Sequence, residues 1–166
     1  MIDDPLRAAA KRVLDSFRAR GLKVATAESC TGGLVAAALT EIAGSSDVVD
    51  CGFVTYSNAA KQAMLGVPEA TLKRHGAVSV ETAAAMAAGA LKNSQADVAV
   101  AITGIAGPGG GTAEKPVGLV HFAAASRDGS RRRIYSVICV PAASNCNSSN
   151  ASATERCRTR RRPILP

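Results

Sequence analysis

The chain has 166 residues, of which 47% are hydrophobic and only 3% aromatic, and a net charge of +7. A single domain with a core of Ala, Val, Leu and Ile is expected at this length. Five arginines between 139 and 166, set against Glu155, hold +4 of the charge and leave +3 for the rest, so charge gives a nucleic-acid role little support outside that tail.

The opening Met1-Ile-Asp-Asp-Pro-Leu shows no basic segment before an apolar run, and no stretch of about 18 apolar residues occurs, so a soluble cytoplasmic protein is expected. The five cysteines form no CxxC and no paired histidine spacing, which argues against a zinc site and a disulfide framework.

In chain order, Leu6, Val13, Leu14 and Phe17 fall near one helical face and predict an amphipathic helix over 5–20, ended by Gly21. A short strand over 22–27 and a helix over 34–42 follow, joined through Thr31-Gly-Gly33. Residues 51–56 read as a second strand, after which Asn58 is expected to cap a short helix over 59–65, closed by Gly66. Ser79 is expected to cap an Ala-rich helix reaching about Leu91. The apolar run 96–103 has the character of a strand buried on both faces, and 117–125 and 134–140 read as further strands. Strands alternating with helices predict an α/β fold, a three-layer α/β/α sandwich around a mostly parallel sheet.

Three segments carry chemistry. In Thr26-Ala-Glu-Ser-Cys-Thr-Gly-Gly33, Ser29 falls between the carboxyl end of a strand and the start of a helix. Ligands of α/β folds gather there, and free N–H groups at a helix start can stabilise an oxyanion. A simple helix cap is the alternative; G-x-S-x-G is absent, so this is no nucleophile elbow. A serine needs a base. His75 reads as a polar helix end and His121 as a structural strand histidine, so Lys61 is the better candidate. A helix N-terminus and partial burial would lower its pKa, letting it act directly or through Tyr56; an ordinary solvated lysine is the alternative. The third segment, Thr103 to Gly118, is Gly-rich and lets backbone approach a ligand or form an anion nest. It fits neither a P-loop nor a dinucleotide fingerprint.

Together and in this order, Ala27-Glu-Ser-Cys-Thr-Gly-Gly33, Gly52 to Lys61, Gly76-Ala-Val-Ser79, Thr103 to Thr112 and Lys115-Pro-Val-Gly118 closely resemble the CinA carboxy-terminal domain family, over roughly residues 5–138. That family is known for nicotinamide-nucleotide amidohydrolase activity, which converts nicotinamide mononucleotide to nicotinic acid mononucleotide and ammonia. The resemblance implies an α/β/α sandwich, no metal and no cofactor. It implies Ser29 as nucleophile, Lys61 as base and Tyr56 as proton relay or orienting group. It further implies a nucleotide site lined by Thr31, Gly32, Ser46, Thr103, Gly104, Gly107, Gly109, Gly110 and Thr112. The expected partner is a small nucleotide, with no membrane and no nucleic acid, and a homo-oligomer is left open. The chain looks like the stand-alone form of a domain often fused to a larger amino-terminal one.

Residues 139–166 depart from the family, which usually continues with a Gly-Asp-Arg-like turn and a closing helix whose arginine helps hold substrate. This segment reads as an atypical tail, disordered or frame-shifted: one codon choice for Ala143 to Ser148, read two bases on, encodes helix-forming Glu-Gln-Leu-Gln-Gln. Two rival functions follow, a binding module without turnover and a nucleic-acid binder using Arg131 to Arg133 and Arg158 to Arg162.

Overall fold

The computed structural model describes residues 2–130, 132–139 and 157–158. Helix α1 spans Asp4–Arg18, begun by Asp3, whose carboxylate accepts the Leu6 N–H at 3.0 Å, and it buries Ala10 and Leu14. Strand β1, Val24–Glu28, is buried throughout. Helix α2 (Leu34–Thr40), a short 3-10 turn (Ser45–Asp47) and strand β2 (Val49–Val54) follow.

Helix α3 spans Asn58–Leu65, and its cap is Ser57, whose hydroxyl accepts the Ala60 N–H at 3.0 Å. Asn58, the expected cap, is therefore already helical. Helix α4, Glu69–His75, ends at the polar stretch containing His75. Ser79 does cap helix α5, Val80–Lys92, accepting the Thr82 N–H at 3.1 Å. Strands β3 (Val98–Gly104), β4 (Leu119–Ser126), β5 (Arg132–Cys139) and the two-residue β6 (Cys157–Arg158) complete the described chain.

The strands form one sheet in the order β2-β1-β3-β4-β5-β6. Its core, β2-β1-β3, is parallel, and the pairs β3-β4, β4-β5 and β5-β6 are antiparallel. The fold is thus α/β in three layers, with a mixed sheet whose parallel part carries the crossover helices. On one face α1 and α2 bury Leu14, Val24, Leu39 and Val48; on the other, α3, α4 and α5 cover Ala25, Ala27, Ala99, Ala101 and Ala123. Alanine at these strand positions keeps the helices close to the sheet. Alternation along β1 sets the site: Ala25 and Ala27 face α5, so the next residue on that face is Ser29.

Candidate active site

Ser29 follows the carboxyl end of β1, 8% exposed, with its N–H donating to the Ile102 carbonyl at 3.0 Å. The chain then reverses through Gly32 (φ 60°) and Gly33 (φ 100°), left-handed conformations that glycine adopts without strain. Gly32 N–H donates to the Ser29 carbonyl and Leu34 N–H to the Thr31 carbonyl. The Thr31 N–H meets no backbone acceptor among the described residues, and the Cys30 N–H faces its own thiol.

Lys61 reaches this turn from α3. It is 1% exposed, and its Nζ donates to the Ser29 hydroxyl at 3.0 Å, the Thr55 carbonyl at 2.9 Å and the Tyr56 carbonyl at 3.3 Å. No carboxylate pairs with it among the described residues. Burial therefore pushes the Lys61 pKa down, opposed by the Cys30 thiol, whose own pKa burial pushes up. Once neutral, the amine can give its two N–H hydrogens to the two carbonyls and turn its lone pair to the Ser29 hydroxyl, which then donates across the same 3.0 Å contact.

Tyr56 comes to the site by its backbone. Its carbonyl accepts from Lys61, whereas the residue as a whole is 76% exposed. Thr31 Oγ is buried and, among the described residues, is a side-chain oxygen with no hydrogen-bond partner. Thr103 lies at the end of β3, and its hydroxyl donates to the Ala77 carbonyl at 2.8 Å.

The Gly-rich loop connects β3 to β4. Gly104 and Gly107 are needed for packing: a Cβ on the first would crowd the Leu119 carbonyl, and one on the second would crowd Val117. Gly109 and Gly110 are exposed, and Thr112 accepts the Lys115 N–H at 3.0 Å. The loop is tied down by Lys115, whose Nζ donates to the carbonyls of His75 and Val78, both at 2.8 Å.

Ser46 is not brought to this end of the chain. It sits in the 3-10 turn before β2, beside the Arg18–Asp47 ion pair, at the amino end of the parallel strands; Ser29 is at the other. Neither histidine hydrogen-bonds Ser29: His75 pairs with Glu81 at 3.6 Å, and His121 Nδ1 lies 2.7 Å from the Ser136 hydroxyl. The His121 pKa is pushed down by burial and by Lys115, with Glu81 opposing. Among the described residues no cluster of His, Cys, Asp or Glu could hold a metal, and no helix is long and apolar enough to cross a membrane. Arg131 and Arg160 to Arg162 lie outside the described residues.

Sequence reasoning missed Glu28. It is completely buried, and its carboxylate accepts the N–H groups of Gly33, Val35 and Ala36. The helix-start donors expected for an oxyanion are thus already occupied at those three residues. An uncapped Gly33 at the start of α2, with a carboxylate five residues earlier, was the signal available.

Fold and site together define an α/β domain built around a buried serine–lysine pair. The chain belongs to the CinA C-terminal domain family, whose model matches residues 6–155. It is similar to the protein named nicotinamide-nucleotide amidohydrolase PncC of Escherichia coli, with 54% identity over 139 residues, covering 82% of this chain and 84% of that one. It is 56% identical over 116 residues to a putative competence-damage inducible protein of Caldicellulosiruptor bescii, covering 70% of this chain but only 28% of that longer relative. Among solved structures, the competence/damage inducible protein CihA from Agrobacterium tumefaciens superposes with a TM-score of 0.80 at 58% identity, covering 82% of each chain.

Proposed function

We propose that this chain hydrolyses the carboxamide of nicotinamide mononucleotide to nicotinic acid mononucleotide and ammonia, with Ser29 as nucleophile and Lys61 as general base. The observation that carries the reading is the 3.0 Å contact between Lys61 Nζ and Ser29 Oγ, at a position where burial favours the neutral amine. The similarity to relatives named nicotinamide-nucleotide amidohydrolase supports the choice of substrate.

In this mechanism the Ser29 oxygen attacks the carboxamide carbon while Lys61 takes the hydroxyl proton. The oxyanion that forms accepts from the Cys30 and Thr31 N–H groups, neither of which is held by a backbone carbonyl among the described residues. The carbon–nitrogen bond then breaks, Lys61 returns the proton to the nitrogen, and ammonia leaves. Water, deprotonated by the same amine, attacks the acyl ester, releases the carboxylic acid and restores Ser29. Tyr56 serves as the orienting group through its carbonyl. The Thr31 hydroxyl, buried and without a partner among the described residues, reaches the substrate by turning about its Cα–Cβ bond, and Thr103 and the loop from Gly104 to Thr112 line the nucleotide end.

The test is ammonia release by the purified protein from nicotinamide mononucleotide and, separately, from nicotinamide. Equimolar ammonia and nicotinic acid mononucleotide, with slower reaction of free nicotinamide, are expected. A folded protein that releases no ammonia from the nucleotide would overturn the reading.

A further inference from the structure

Glu28 is a completely buried carboxylate with no ion-pair partner among the described residues. A charge so placed is tolerated only where hydrogen bonds replace its water. One carboxylate oxygen accepts the N–H groups of Gly33 at 3.1 Å and Val35 at 3.0 Å; the other accepts the Ala36 N–H at 2.8 Å and the Thr26 hydroxyl at 3.3 Å. Residue 52, opposite Thr26 on β2, is glycine, and a Cβ there would press on Thr26 Oγ1 and the Ala36 Cβ. The close seating of α2 over the carboxylate depends on that gap.

An ordinary side chain at the start of α2 would cap the helix without burying a charge. The start is instead Gly33, and the cap reaches across from the strand residue next to Ser29. What the arrangement adds is a fixed relation between the Ser29 turn and the helix. The backbone of Glu28 extends the hold: its carbonyl accepts the Thr55 N–H at 2.8 Å, and the Thr55 carbonyl accepts from Lys61 at 2.9 Å. A single residue therefore ties together the turn, α2 and the segment that orients Lys61.

We propose that Glu28 is a positioning residue. It holds the turn from Ser29 to Gly33 so that the Cys30 and Thr31 N–H groups stay open to the substrate oxygen, and it places the Thr55 carbonyl against Lys61. This inference rests on Ser29 being the nucleophile of amide hydrolysis. Glu28→Gln tests it, because the amide oxygen can still serve Gly33 and Val35 while the NH2 group is turned on the Ala36 N–H. Thr26→Val is a milder second variant, leaving the carboxylate and its three N–H bonds in place.

Per folded molecule, Glu28→Gln should lose about 10- to 100-fold in kcat with KM for nicotinamide mononucleotide changed by less than about threefold, the split expected of transition-state positioning. The rate at which a fluorophosphonate modifies Ser29 should fall in parallel, and Thr26→Val should move both rates in the same direction by about two- to fivefold. Parent values of kcat and modification rate in folded Glu28→Gln would overturn the proposal. So would parent values in Thr26→Val if Glu28→Gln does not fold. A parent that releases no ammonia, but whose Ser29 modification still depends on Glu28, would sink the amide-hydrolysis reading and leave the positioning role standing.

Discussion

Lys61 meets the Ser29 hydroxyl at 3.0 Å from 32 positions away in sequence, with its amine buried and two backbone carbonyls as its other partners. The contact exists because β1 delivers Ser29 to the α3–α5 face of the sheet and Ser57 starts α3 four residues before the lysine.

Lys61 gives the pH dependence a defined sign. Turnover should rise with pH through an ionisation below 10.5, the ordinary lysine value. In the window between the lowered folded value and 10.5 the unfolded chain binds more protons than the folded one, so stability should also rise with pH and be lost as pH falls. Lys61→Met should abolish turnover and flatten this dependence, as read from thermal unfolding across the alkaline range.

The His121 pKa is likewise lowered, from 6.5, by burial and by Lys115. The folded state therefore resists protonation, and stability should fall as pH drops from 6.5 through the lowered value. His121→Gln should lose less thermal stability than the parent between pH 7.5 and pH 5.

Gly89 allows α5 to touch α3, since a Cβ there would overlap the Leu65 carbonyl. Gly89→Ala should destabilise by about 1–3 kcal/mol through overpacking. Because α3 carries Lys61, kcat should drop along with the melting temperature, which calorimetry and steady-state kinetics would separate.

Lys115 joins the Gly-rich loop to the corner between α4 and α5 through two carbonyls. Removing it in Lys115→Met should loosen the loop. A KM raised about fivefold or more, with kcat within about a factor of two, is the expected signature of lost ligand-side order.

Much of the fold was legible because β1, β3 and α5 carry strong local patterns, and Ser29 and Lys61 could be paired because each sits beside a turn at a strand's carboxyl end. The antiparallel half of the sheet was less visible. Its clearest sign was Asp128-Gly129 between β4 and β5, a tight-turn dipeptide overlooked among the arginines. Glu28 escaped because the predicted strand stops at residue 27 and leaves it in the turn, whereas β1 runs on to Glu28 and only the approach of α2 makes its carboxylate a cap. Ser46 entered through the resemblance alone; in a parallel sheet a residue just before β2 lies at the amino end of the strands, away from Ser29. Likewise, Lys115 looks like any loop lysine until the α4–α5 corner folds beneath it.

Comparing Ser29→Ala with the parent for ammonia release from nicotinamide mononucleotide, both proteins folded, tests the central claim most directly. A loss of at least about 1,000-fold in kcat is predicted for removal of an acylated nucleophile. Turnover within a few-fold of the parent would contradict the assignment of Ser29.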